Sequence, residues 1–408
     1  MIRHLKRNLP AAAWDSMTDT RDRRGRRYAL PSLLNALMLG MVTAQQTLGQ
    51  LVELLRYIPQ RRQWALKTIP SETTLWRTPQ HLRPEELRAA LHRQAKEMHR
   101  SKQLGVLPDI GISLTAIDGK VIATDDQRLH PESLDYNRRP DGGPYSVRVL
   151  RAVHVGSAVK PILDQHVIPG HQGEANNVIA LVASLLEVFG RTDLLECVSF
   201  DAGLTSRENC HFIDEHGVGF IAALKGDQPT LHTEAVRLLG EGEAAPTGGW
   251  ERVQDEVRGS RHVTLHFART REMVGWHDWR CIRQVWRVRT IRRRGARTEE
   301  QDRYFVTNLP WGRLKPEQCL AAVRAHWGIE NDSNWTMDTV WMEDRRAWCR
   351  QGRALETLSL LRCIAYNIIR LFRCRRLRST NNRTLPYRQL LKRIEWALIA
   401  NHPAAGFG

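Results

Sequence analysis

The 408-residue sequence predicts a mixed α/β fold: a five-stranded sheet, a helical region ahead of it, and a β-rich stretch before its last long helices. Three observations carry that prediction. Residues 28–57 and 84–100 repeat apolar residues at helical spacing, with Pro31, Pro59 and Pro84 marking starts and stops. From residue 110 the pattern shortens into β-branched runs between Gly and Pro turns, in the order β, β, β, α, β, α, β. A second β-rich stretch, 250–309, separates this unit from long helical segments predicted at 315–343 and 353–373.

In chain order, ISLTAID, SVRVLRAVHV and PILDQHVIP read as three strands that can form a meander. EANNVIALVASLLEVFG (174–190) is an amphipathic helix ended by Gly190, ECVSFD a strand, SRENCHFIDEHG a helix ended by Gly217, and GFIAALK a strand. The helix after the third strand allows a right-handed crossover that sets the fourth strand beside, and parallel to, the first. That arrangement is the ribonuclease H-like sheet. Between its first and fourth strands the connections diverge to opposite sides, where open α/β sheets carry their sites.

Apolar residues make up 42% and charged residues 26%, the balance of a globular protein, and the length excludes a disulfide-stapled mini-protein. Net charge is +17, which favours a polyanionic partner. The excess is unevenly placed: residues 1–107 carry 19 Lys/Arg against 8 Asp/Glu, residues 345–408 carry 14 against 2, and residues 108–344 carry 28 against 34. These bounds divide the chain into a basic helical N-terminal region, an acidic core and a basic helical C-terminal region. Arg outnumbers Lys 52 to 9, so nucleotide composition of the genome is an equal explanation of the total. The seven Cys form no CxxC pair and no zinc-spaced cluster. With no secretory leader and no apolar run long enough to span a bilayer, a reduced, cytoplasmic chain is expected, with no membrane partner.

The acids in the middle are patterned. Asp118 closes the first strand in LTAIDGK and Asp201 closes the fourth in CVSFDAG, each followed within two residues by Gly. An isolated Asp-Gly is ordinarily a turn. At matched ends of parallel neighbours, however, two carboxylates lie close enough to need a cation or a proton. Oxygen-only ligands suit Mg²⁺ or Mn²⁺. A third acid is offered by RAHWGIENDSNWTMDTVWMED, where Glu330 has His326 and Asn334 one turn to either side. A solvated helical Glu is the plain alternative, against which stand its neighbours Trp327, Ile329 and Trp335.

These residues, with IPSETTLWR, AIDGK, SFDAG, FIAALKGDQ, RYFVTNL, HWGIEN with its downstream ED, and LSLLRCIAYNIIRL, run in order through nearly the whole chain. Together they resemble the DDE transposases of bacterial insertion sequences, in their H-repeat-associated branch. The resemblance implies a ribonuclease H-like core in which Asp118, Asp201 and Glu330 are catalytic and hold two Mg²⁺ or Mn²⁺ ions. It also implies double-stranded DNA partners, the terminal inverted repeats and the target, and a homodimer on paired ends, nucleoid-associated in the cell. Around Glu330 the wider group carries a Tyr, Arg, Glu, Lys signature, whereas the flanking positions here read Val323, His326 and Met337, and VIATDDQRLHP lacks a basic stretch.

The implied chemistry is metal-assisted phosphodiester cleavage followed by attack of the freed 3′-hydroxyl on target DNA. No P-loop is visible, and exchange of one phosphodiester for another needs no ATP. The 128 residues between Asp201 and Glu330 leave room for a β-rich insertion at about 229–306, which the resemblance places against the transposon end. Its Trp250, Trp276, Trp279 and Trp286 are candidates either for base stacking or for core. Its basic run, with Arg292, Arg293 and Arg294, suits phosphate contact or a hairpin turn equally. Lys225, Arg324, His326 and Asn331 are further candidates for DNA contact, as are the terminal runs RDRRGRR and RLFRCRRLRS. Two other readings remain at this point: a nuclease on the same fold that only hydrolyses, and a catalytically inactive DNA-binding remnant of an element.

Overall fold

Apolar residues on both faces of a strand require cover on both sides of its sheet, and this chain supplies it with helices drawn from both ends. The computed structural model describes residues 2–9, 14–59, 61–135, 144–345 and 347–400. Helix α1 (Ile2–Asn8) is followed by α2 (Leu30–Val42) and α3 (Leu48–Tyr57). The continuous helix predicted over 28–57 is therefore two. Its break is a local one: Ala44 takes a left-handed backbone (φ 55°), and Thr47 caps the new helix by accepting from the Gln50 N–H. Helices α4 (Glu72–Arg77) and α5 (Pro84–Arg100) complete the region, α5 with Glu85 and Glu86 in its first turn and His99 and Arg100 in its last, matching the helix dipole.

The sheet begins with β1 (Leu114–Asp125), β2 (Leu134–Asp135), β3 (Tyr145–His154) and β4 (Ile162–Val167). Helix α6 (Val178–Phe189) crosses to β5 (Cys197–Phe200), and α7 (Arg207–Glu215) to β6 (Gly219–Leu224). β3 and β4 are antiparallel steps, whereas β5 lies parallel to β1 and β6 parallel to β5. The resulting order β4-β3-β1-β5-β6 is the one the sequence predicts for a ribonuclease H-like sheet.

The sheet does not stop at five strands. After α8 (Pro229–Leu239) come β7 (Arg252–Arg258), β8 (Arg261–Thr270), β9 (Gln284–Arg294) and β10 (Arg297–Thr307). β10 pairs antiparallel with β6, so the insertion extends the same sheet, ten strands among the described residues. The correction has a simple cause: β6 was an unpaired edge with buried Phe220 and Ala222, and Tyr304–Thr307 satisfy its ladder.

Beyond the sheet lie α9 (Pro316–His326), α10 (Trp335–Val340), α11 (Arg353–Arg375), α12 (Thr380–Thr384) and α13 (Tyr387–Ala400). The long helix predicted over 315–343 is interrupted by a π-turn at Ile329–Asn334 and ends at Val340. α11 is buried along most of its length and packs on α2, α5 and β4. One apolar cluster accordingly runs from Leu5 and Leu33 through Leu114 and Leu361 to Leu398. Asn367 of α11 behaves as a strand surrogate: its side-chain amide donates to the Ile162 carbonyl and accepts from the Ile162 N–H, at 2.9 and 2.8 Å. All seven cysteines are free, and no helix among the described residues is long and apolar enough to cross a membrane.

Candidate active site

The parallel pairing of β1 with β5 runs from Leu114 opposite Cys197 to Ile117 opposite Phe200. Asp118 and Asp201 are the next residue on each strand, so the register alone sets them side by side. Asp118 does not end its strand, as the sequence had implied: β1 continues to Asp125 along β3, and only its partnership with β5 ends there. Asp201 leaves the sheet by accepting from the Leu204 N–H at 3.2 Å, which turns the chain into α7.

The segment from His326 to Asn334 lies across these two strand ends and is fastened to both. His326 is hydrogen-bonded to Ser199 of β5 at 3.0 Å, and the Asn334 amide donates to Asp118 Oδ2 at 3.0 Å. Glu330 sits between the two fasteners, in a π-turn of the kind that often marks functional positions.

Electrostatics ties the acids together. Burial, then Glu330, Asp201 and Glu174, push the Asp118 carboxyl up to about 7. Burial and then Asp201 raise Glu330, while Arg303 and Lys225 pull it back. Among the described residues no three His, Cys, Asp or Glu form a closed metal-binding group. The donor set nevertheless fits a hard divalent cation, because every ligand atom is a carboxylate oxygen and the surplus negative charge that raises Asp118 is what such an ion would neutralise.

Behind the acids is a buried network of paired charges. Arg151 and Glu343 are each 0% exposed and form an ion pair at 3.2 Å. Arg151 also donates to Gln165 Oε1 at 2.6 Å and to Asn334 Oδ1 at 3.3 Å, and Ser359 donates to Glu343 at 2.8 Å. Asn334 thus links this network to Asp118. The ED pair of the sequence has a structural basis here: Glu343 pairs with Arg151, and the Asp344 carbonyl accepts from the Thr124 N–H of β1. Upstream, Lys120 of β1 holds Asp338 of α10 at 2.5 Å.

The remaining candidates divide. Lys225 is exposed at the end of β6 and acts on Glu330. Asn331 is exposed and lines, with Lys160, Arg292, Arg303 and Arg324, a cleft of about 920 Å³ between the insertion and the π-turn. Arg324 is in addition paired with Glu256 of β7. Arg293 and Arg294 are exposed at the end of β9, where Gly295 (φ 57°) turns the hairpin. His326 is buried and bonded to Ser199, and burial, with Arg303 nearby, lowers its pKa to about 4. Trp286 is fully buried, and Trp250, Trp276 and Trp279 pack against the core. Arg370, in the C-terminal basic run, is likewise internal, donating to the carbonyls of Val159 and Ala158.

Sequence reasoning placed Asn334 on the right face without giving it a role, and missed Arg151, Glu343 and Arg303. Arg303 stacks over Trp327, 4.2 Å from its ring centre, next to Glu330. A signal for Arg151 existed: an arginine inside the apolar strand SVRVLRAVHV demands a buried acid, since an unpaired charge there is prohibitively costly.

Residues 109–368 match the family described as Transposase DDE domain. The H repeat-associated protein YhhI of Escherichia coli (strain K12) is 24% identical over 62% of this chain and 64% of its own length, so the match spans less than two thirds of that relative. YbfL of the same strain is 22% identical over 74% of this chain and 73% of its own. Among solved structures, a cryo-EM structure of the piggyBac transposase synaptic complex with hairpin DNA aligns at a TM-score of 0.45 and 10% identity, covering 98% of this chain and 77% of that one.

Proposed function

The chain belongs to the Transposase DDE domain family, and from that premise we propose that it is a transposase that cleaves DNA at the ends of its element and joins the freed 3′-hydroxyl to target DNA. The observation that carries this reading is the convergence of Asp118, Asp201 and Glu330 on one sheet edge, with the Glu330 segment fastened to both strands. Two bound Mg²⁺ or Mn²⁺ ions would supply an activated nucleophile and stabilise the leaving oxygen. In this reading the three carboxylates are ligands. Asn334 holds Asp118 in place, Lys225 and Arg303 offer positive charge to the phosphate beside Glu330, and the cleft lined by Arg292, Arg324 and Asn331 receives the DNA backbone.

The basic N- and C-terminal regions, 1–107 and 345–408, add phosphate contacts, with exposed Arg23, Arg24 and Arg27 nearest to free. Two copies acting on paired ends, in the bacterial cytoplasm at the nucleoid, complete the proposal.

The test is an oligonucleotide carrying the element end, incubated with Mg²⁺ and with an unrelated target duplex. Cleavage followed by joining of a precut 3′-hydroxyl end supports the transposase. Hydrolysis without joining assigns a nuclease, and binding without either assigns an inactive remnant.

A further inference from the structure

We propose that Glu174, a carboxylate outside the Asp118, Asp201 and Glu330 set, is a fourth ligand for the divalent cation at this site. The inference deepens the reading above and rests on it.

Glu174 begins the turn that leads into α6, on the connection that crosses from β4 to β5. Its side chain folds back over β1. A Cβ built on Gly119 would stand 2.1 Å from Glu174 Oε2 and 2.4 Å from its carboxyl carbon, so the carboxylate occupies the space that any other residue at 119 would fill. The glycine of AIDGK therefore has a reason independent of turn formation. It lies mid-strand, paired opposite Leu150, and a side chain there would expel Glu174 from the neighbourhood of Asp118.

The ion pair that Glu174 makes with Arg148 is a long one and offsets its charge only in part. Arg148 approaches only to 3.8 Å and directs its other terminal nitrogen to the Gln172 carbonyl at 2.8 Å. Glu174 is thus carried over Gly119, the residue next to Asp118, and the two carboxylates meet there as like charges. A fold gains no stability from such an approach; a cation shared between the carboxylates removes the repulsion. Coordination by Glu174 would also tie the turn ahead of α6 to the β1 edge of the sheet.

The experiment is Mn²⁺ titration of the full chain, made metal-free at pH 7.5, with the free ion followed by electron paramagnetic resonance and unfolding followed separately in EDTA. Glu174→Gln is expected to weaken Mn²⁺ binding by about tenfold or more while leaving the EDTA melting temperature equal to or above that of the unchanged protein, because a repulsion has been removed. Gly119→Ala, which displaces the carboxylate without deleting it, is expected to weaken Mn²⁺ binding in the same way and serves if the first variant fails to fold. Mn²⁺ affinity unchanged in both variants, with Asp118→Asn impaired, overturns the role of Glu174 and leaves the three-carboxylate reading standing. Affinity unchanged in Asp118→Asn as well, or no Mn²⁺ binding by the unchanged protein, overturns both.

Discussion

Two charged regions lie back to back in this molecule and are built on opposite rules. At the ends of β1 and β5, burial with Glu330 and Asp201 raises Asp118, burial with Asp201 raises Glu330, and the cations Arg303 and Lys225 only partly offset Glu330. Directly behind, Arg151 and Glu343 are completely buried, mutually paired, and satisfied by Gln165, Ser359 and Asn334. One region gathers charge of a single sign, and the other pairs opposite charges. A surplus kept next to a satisfied scaffold is what a site that binds its counter-ion late requires, because the scaffold holds the acids in place before the ion arrives.

The contrast can be broken from either side. The largest effect is expected at the acids: Asp118→Asn, Asp201→Asn or Glu330→Gln should each lower cleavage by roughly a thousandfold or more, since a bound ion contributes several kcal/mol to such a transition state. Binding of the element end, followed by gel shift in Mg²⁺-free buffer, should persist in all three. On the scaffold side, Glu343→Gln should leave Arg151 buried without its charge partner and cost about 3–5 kcal/mol in urea unfolding. Replacing both residues by apolar ones of similar size should recover much of that stability, which would mark the pair as a positioning device more than a stabilising one.

Between these lies Asn334, the residue that touches both regions. Asn334→Ala should cost about 1–3 kcal/mol in stability and lower kcat for cleavage while the DNA concentration for half-saturation changes little. A pH series addresses the acids again. In metal-free protein the folded state keeps the Asp118 proton up to about pH 7, while the unfolded chain releases it near 4. Stability should therefore fall as pH rises through that window and level off above it. Asp118→Asn should abolish the slope and gain about 2 kcal/mol at pH 8, after allowance for solvent screening at a half-buried group. The smallest effect is at the rim, where Arg293→Ala with Arg294→Ala should reduce the salt slope of DNA binding by about two.

Strand order and the pairing of Asp118 with Asp201 were legible because both follow from local signals: apolar runs, a crossover helix, and carboxylates at matched positions. The extent of the sheet was not, since whether β10 adds to β6 or closes a separate barrel depends on edge pairing that no local pattern encodes. The long helix expected through Glu330 looked continuous because its apolar spacing persists across the π-turn; the bonds of His326 to Ser199 and Asn334 to Asp118 decide the backbone there. The C-terminal run RLFRCRRLRS suggested phosphate contact; within it Arg370 is buried on α11, and Arg373 and Arg375 donate to backbone carbonyls. These three arginines tie the C-terminal region to the chain's own backbone.

The most direct test of the central claim is anomalous diffraction from a crystal of the protein soaked in Mn²⁺. A peak between the carboxylates of Asp118 and Asp201, within ligand distance of both, is the predicted result. Mn²⁺ bound elsewhere, with these two carboxylates left facing each other without an ion at millimolar concentration, would contradict the account.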